Sequence, residues 1–113
     1  NNATKTYNIT AKLIPVDEEI IKVYMQGAVY AFCNTNKGEA FSVRILFGGD
    51  NRDWSGTPMQ KIYDYYIKNG KSYDDAAENA AIDAGKLLKA VLERDSREFE
   101  IVGKDTGTLY KLV

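Results

Sequence analysis

Hydrophobic positions recur every three to four residues between Ser72 and Arg94, and this is the strongest pattern in the chain. Such spacing is typical of an amphipathic α-helix, and it is sustained here over about six turns. Ser72 is suited to the N-cap, and acidic residues near the start and basic residues toward the end complement the helix dipole. Ile82 interrupts the pattern and is expected to point outward. The predicted inward face consists of Tyr73, Ala76, Ala77, Ala80, Ala81, Ala84, Leu87, Leu88, Val91 and Leu92.

A second, shorter helix is predicted over residues 58–69. Thr57 can cap it, Pro58 is suited to the first helical position, and Asn69-Gly70 is a typical end signal. Tyr65 points away from the inward side of this helix, so we expect it to be the most exposed of the four tyrosines between residues 63 and 73. The predicted inward side consists of Met59, Ile62, Tyr63, Tyr66 and Ile67.

Four other segments alternate between apolar and polar residues, which predicts β-strands with one dry and one wet face. They cover residues 7–15, 41–47, 97–102 and 108–113. Pro15 cannot donate a ladder hydrogen bond, so the first strand should end there or lie at a sheet edge. The segments 34–38 and 103–107 carry the glycine and asparagine or aspartate residues that are typical of hairpin turns.

Residues 20–33 are compatible with two interpretations. As a helix, with Asp17 as its cap, they would present one broad apolar face. As a strand, they would bend at Gly27 and continue to Cys33. We prefer the strand, because β-branched and aromatic residues dominate and a glycine within the element fits a bulge better than a helix interior.

The resulting order is β-β-β-α-α-β-β within one α+β domain covering residues 1–113. Consecutive strands without crossover helices indicate antiparallel pairing. We therefore predict an antiparallel sheet of four to five strands, with the two helices packed on one of its faces.

Composition excludes several functional classes. The formal net charge is −1 and no basic stripe is present, which disfavours binding to nucleic acid or to a membrane surface. No apolar run is long enough for a transmembrane helix. The single cysteine, Cys33, cannot form an intrachain disulfide, and we expect a cytoplasmic location. The absence of histidine removes the commonest general base and metal ligand, so we predict no catalytic residue, no metal site and no cofactor.

The loop over residues 48–57 is the best candidate site in the chain. It combines three glycines with Asp50, Asn51, Arg52, Asp53 and the only tryptophan, Trp54, just before a predicted helix. Backbone N–H groups at such a position can hold an anion, and Arg52 could clamp it. However, the glycine spacing matches no phosphate-binding motif, and the two aspartates would repel a phosphate. A protein-contact loop, or a polar connection held by Trp54 against the core, are the other two interpretations.

From these features we expect a small non-enzymatic interaction protein that acts through protein–protein contacts with an unidentified partner. Self-association into a homo-oligomer is a specific form of this hypothesis, with Tyr65 and Ile82 as candidate interface residues, because tyrosine is enriched at interfaces. The alternative is a domain that binds a small ligand or a nucleotide-like anion through the 48–57 loop.

Overall fold

The structure is a computed structural model that describes residues 8–48, 54–104 and 107–113. Within these residues the chain forms four helices followed by one β-hairpin. The elements are α1 (Pro15–Thr35), α2 (Val43–Phe47), α3 (Gln60–Lys68), α4 (Tyr73–Arg94), β1 (Phe99–Lys104) and β2 (Thr108–Leu112).

The long helix α4 confirms the strongest sequence pattern. Ser72 is its N-cap, and the Ser72 hydroxyl accepts a hydrogen bond of 3.2 Å from the backbone N–H of Asp75. Ile82 is exposed, as predicted, whereas the prediction that Tyr73 faces inward is wrong, since its side chain is 76% exposed. The buried side of α4 consists of Ala76, Ala80, Asp83, Ala84, Leu87, Leu88, Val91 and Leu92. An aspartate therefore occupies a position within an otherwise apolar face.

Residues 20–33 are helical, so the preferred strand interpretation is wrong. Helix α1 begins with Pro15, which lacks an N–H and suits the first turn, and Asp17 and Glu18 follow it where the helix dipole favours acidic groups. Its inward residues are Ile21, Met25, Val29 and Cys33, spaced by four residues. Packing of this side against the core outweighs the strand preference of the individual residues.

The first predicted strand is also wrong over the part that the structure describes, from residue 8 onward. The backbone N–H groups of Thr10 and Ala11 donate hydrogen bonds of 3.0 and 3.1 Å to the two carboxylate oxygens of Asp83. A side chain on α4 thus satisfies donors that a strand would have used in a ladder. The segment enters α1 directly at Pro15.

The third predicted strand, over residues 41–47, is reduced to a single bridge. Phe41 and Tyr110 exchange two backbone hydrogen bonds of 2.8 Å, and the chain then turns into helix α2. Ser42 caps this helix, because its hydroxyl accepts a bond of 3.2 Å from the N–H of Ile45. The cap ends the extended conformation that the alternating pattern favoured.

The C-terminal hairpin is confirmed. Strands β1 and β2 pair antiparallel, with Phe99 opposite Leu112 and Ile101 opposite Tyr110, and the register shifts between Ile101 and Gly103. Since this sheet has two strands within the described residues, the predicted sheet of four to five strands with two helices on one face is wrong. The chain is α+β with a core formed mainly by helices.

The core lies where α1, α3 and α4 meet, and α4 contacts both of the other helices. Its fully buried side chains include Ile21 and Met25 from α1, Ile62 from α3 and Leu88 from α4. Helix α3 lies within the predicted range and begins two residues later than Pro58. No helix in the described residues is long and apolar enough to cross a membrane.

Candidate functional site

The predicted loop site falls mostly beyond what the structure describes. Asp50, Asn51, Arg52 and Asp53 lie outside the described residues, so their role stays a prediction. Trp54 is 5% exposed, and its indole N–H donates a hydrogen bond of 3.1 Å to the carbonyl of Phe47. The tryptophan therefore anchors the end of this loop to the core.

The two candidate interface residues lie in different surroundings. Ile82 is 53% exposed and lines a groove that runs along α4. Tyr65 is half-buried against the core, with its ring 5.2 Å from that of Tyr66. The expectation that Tyr65 is the most exposed tyrosine of its region is wrong, since Tyr73 is far more exposed.

A stripe of exposed apolar residues runs along α1 on the side away from the core. We call it the outer face of α1 and define it by Val16, Ile20, Val23, Gly27 and Tyr30. The four side chains other than the glycine are between 49% and 64% exposed. The steps between them are four, three, four and three residues, which is the spacing of a coiled-coil seam.

Helix α1 is thus apolar on two sides. Its inward residues are buried by the rest of the chain, whereas surface helices usually present a polar outer side to water. A contiguous exposed apolar patch on a small protein marks an interaction surface more often than scattered single residues do. The outer face of α1 is therefore the first candidate surface.

Gly27 in the middle of this face has no structural explanation within the described chain. A Cβ atom added there would meet nothing within 4 Å, and its φ angle is not positive. Glycine in a helix interior costs about 1 kcal/mol relative to alanine. The residue therefore leaves open space on the outer face between Val23 and Tyr30.

The two halves of the outer face have different charged neighbours. The carboxylate of Glu19, beside the first half, lies 3.5 Å from the guanidinium of Arg94. The guanidinium of Arg97 lies 4.0 Å from the centre of the Tyr30 ring in the second half. Acidic groups on the helix itself are confined to its first turns, at Asp17, Glu18 and Glu19.

A groove of about 770 Å³ forms the second candidate surface, and we call it the α4 groove. Its floor is a side of α4 that includes Ala77, Ala81 and Gly85, and its walls come from α2 and from the hairpin. Along the floor, acidic residues lie toward the start of α4 and basic residues toward its end, and Arg44 adds a basic residue on the α2 wall. These charged residues on the floor are Asp74, Glu78, Lys86 and Lys89.

The buried carboxylate of Asp83 is occupied by structural hydrogen bonds. Besides the N–H groups of Thr10 and Ala11, it accepts a bond from the hydroxyl of Tyr66. Burial and this bond raise the pKa of Tyr66 to about 12. Asp83 was not identified from the sequence; the available signal was a single acid flanked by Ile82 and Ala84 within an alanine-rich face.

A second buried carboxylate, Asp95, is similarly held. Its side chain is fully covered, and it receives hydrogen bonds of 2.9 and 2.7 Å from the guanidinium of Arg97 and one of 2.8 Å from the amide of Gln26. The bonds from Arg97 lower the pKa of Asp95 to about 2. Nearby Cys33 is buried, and burial raises the pKa of its thiol, which makes it a packed residue rather than a nucleophile.

In the part of the chain that the structure describes, no group of three His, Cys, Asp or Glu side chains is placed to hold a metal ion. No protein-family model matches the chain, and comparison with curated proteins and with solved structures found no similar protein. The function is therefore inferred from the surfaces themselves.

Proposed function

We propose that this protein is a non-enzymatic interaction module that pairs with a second copy of itself through the outer face of α1. The observation that supports this most directly is the apolar stripe from Val16 to Tyr30, which is exposed at coiled-coil spacing while the opposite side of the helix fills the core. Two such faces bury each other's apolar surface, which a monomer leaves in water.

The spacing of the stripe supports one register. Helix α1 spans residues 15–35, so an antiparallel pair overlaps fully when the two-fold axis lies at the level of residue 25. This register places Val23 opposite Gly27 of the partner subunit, and Ile20 opposite Tyr30 of the partner subunit. The open space at Gly27 thus receives Val23 of the partner subunit. Because the pair is two-fold symmetric, each of these contacts occurs twice. The arrangement accounts for a glycine that nothing in the described chain explains.

Charge supports the antiparallel direction. In a parallel pair, the acidic first turn would lie beside its own copy, so Glu19 would face Glu19 of the partner subunit. Like charges that face each other across a pair of helices repel each other. Reversing one helix moves Glu19 toward the half of the partner's α1 where Arg97 covers the Tyr30 ring. Arg97 is held there by its bonds to Asp95.

Sedimentation velocity over a concentration series tests the proposal. The wild-type protein is expected to shift from monomer to dimer as its concentration rises, and Val23→Lys should keep it monomeric. Ile101→Lys is the matched control: Ile101 is 62% exposed on β1 and is not part of the outer face of α1, so its replacement should leave the dimer unchanged. A protein that stays monomeric at every concentration, or a dimer that tolerates Val23→Lys, would contradict the proposal.

The alternative, a ligand or anion site in the 48–57 loop, stays a prediction. The α4 groove is lined by Gly48, which begins this loop, and by Arg44, which precedes the loop on α2. The groove therefore extends to the loop, and this favours the loop as a second candidate site. Trp54 is the only tryptophan, so its fluorescence reports ligand binding near the loop. A response to phosphorylated metabolites that disappears in Arg52→Ala would support the alternative, and no response to any of them would argue against it.

A further inference from the structure

We infer that the α4 groove binds an amphipathic helix of a partner protein, which lies antiparallel to α4 and carries acidic residues in its first turns and basic residues in its last turns. The groove contains no residue of α1. The inference is therefore independent of the proposed dimer.

The shape of the groove suits a single helix. Ala77, Ala81 and Gly85 recur every four residues and so form one line along the floor. A Cβ atom at Gly85 would meet nothing within 4 Å, so the floor is open above it. Small residues let a second helix approach closely, and Ile82 beside them is available for apolar contact.

The charges on the floor determine the direction of that helix. Asp74 and Glu78 lie toward the start of α4, whereas Lys86 and Lys89 lie toward its end, and at 1.5 Å per residue Glu78 and Lys86 are about 12 Å apart. Helices commonly carry acidic residues at the start and basic residues at the end, because these complement the dipole. Such a helix meets opposite charges at both ends of the groove only when it runs antiparallel to α4.

The walls of the groove exclude a second copy of the same surface. Val43 and Arg44 of α2 line one part of the groove, and Thr108 and Tyr110 of β2 line another. Two concave surfaces cannot bring their floors into contact with each other. The occupant must therefore be a convex element, and the partner helix inferred here would bind in the helix-in-groove mode of recognition.

The test uses two fluorescently labelled synthetic peptides of identical composition with the full chain, in the Val23→Lys background so that dimerisation does not interfere. Both peptides carry an apolar stripe at helical spacing; one has Glu in its first turns and Lys in its last turns, and the other has the reverse. Fluorescence anisotropy should show the first peptide binding about tenfold more tightly, with the difference shrinking as salt is added.

The peptide with reversed charges forms a helix less readily, because its charges oppose the helix dipole. The deciding measurement therefore compares variants of the protein against the same two peptides. The double variant Glu78→Lys with Lys86→Glu exchanges the charges on the floor and should reverse the preference between the peptides. Gly85→Leu should fill the floor and abolish binding of both peptides. Ala31→Leu is its matched control, because Ala31 is a small exposed residue on α1 outside the groove, and it should leave peptide binding unchanged. Circular dichroism confirms that each variant is folded.

Several outcomes would overturn the inference. Binding of neither peptide means that the groove does not accept a helix of this kind. An unchanged preference in the charge-exchange variant means that these charges do not set the direction. If Gly85→Leu dissociates the wild-type protein's own dimer, a second copy occupies the groove and the inference is wrong. A failure of the α1 proposal appears instead in sedimentation, as a wild-type protein that stays monomeric or a Val23→Lys variant that still dimerises.

Discussion

The hydroxyl of Tyr66 on α3 donates a hydrogen bond of 2.5 Å to the carboxylate of Asp83 on α4. The same carboxylate accepts the backbone N–H groups of Thr10 and Ala11. One buried side chain, 1% exposed, thus joins the segment before α1 to the two helices that form much of the core. A buried charge is tolerated only when its hydrogen bonds are complete, so each of these donors should matter for stability.

Tyr66→Phe removes one donor and leaves the ring in place. We expect the free energy of unfolding to fall by about 1–3 kcal/mol, since an oxygen of a buried carboxylate loses its partner. Chemical denaturation by urea measures this change. Tyr73→Phe removes the same hydroxyl from a side chain that is 76% exposed and should have almost no effect. Equal effects of the two substitutions would show that the Tyr66 bond does not stabilise the fold.

The same contact should make the protein sensitive to alkaline pH. The pKa of Tyr66 is raised from 10.0 to about 12, so between these values the folded protein holds a proton that the unfolded chain has released. The stabilising contribution is complete below pH 10 and is lost as the pH rises toward 12, a change of about 2–3 kcal/mol. Across this pH range, urea denaturation should show the free energies of unfolding of wild type and Tyr66→Phe becoming more similar as the pH rises. Parallel curves for the two proteins would contradict the expectation.

Asp95 should make the stability of the protein sensitive to acidic pH. Its pKa is lowered from 3.8 to about 2 by the hydrogen bonds from Arg97, so its contribution is complete above pH 3.8 and is lost as the pH falls toward 2. The shift corresponds to about 2 kcal/mol. The stability difference between wild type and Asp95→Asn should therefore narrow in this range. Glu39→Gln makes the same chemical change at an exposed position, and its stability should stay close to wild type throughout.

Elements with one dominant period could be predicted from the sequence. Helix α4 has a single apolar face and a serine cap, and the C-terminal hairpin has alternating residues on both sides of a glycine-rich turn. Helix α1 lacks such a period because Val23 and Ile20 are apolar on its exposed side while Met25 and Ile21 are apolar on its buried side. Residues 41–47 alternate as a strand should, yet the Ser42 cap turns them into α2.

For the same reason, the two candidate surfaces could be predicted from the sequence only in part. The exposure of Ile82 followed from the wheel of α4, and that residue lies in the α4 groove. The outer face of α1 could not be recognised while residues 20–33 were interpreted as a strand, because Val16, Ile20 and Val23 share a side only at helical spacing. Asp83 was hidden for another reason: its partners Thr10 and Tyr66 are distant in sequence, and no local pattern connects them.

Disulfide crosslinking provides a direct test of the register proposed for the α1 pair. In the antiparallel arrangement, position 20 lies opposite position 30 of the partner subunit, while the two copies of position 20 are ten residues apart, or about 15 Å along the helix. A disulfide requires Cα atoms within about 7 Å. With Cys33 replaced by alanine, a mixture of Ile20→Cys and Tyr30→Cys chains should form a crosslinked dimer under oxidation, visible on a non-reducing gel. Neither variant alone should crosslink. A parallel pair would give the reverse, with each single variant linking to its own copy, and this result would exclude the antiparallel register while leaving self-association through α1 intact.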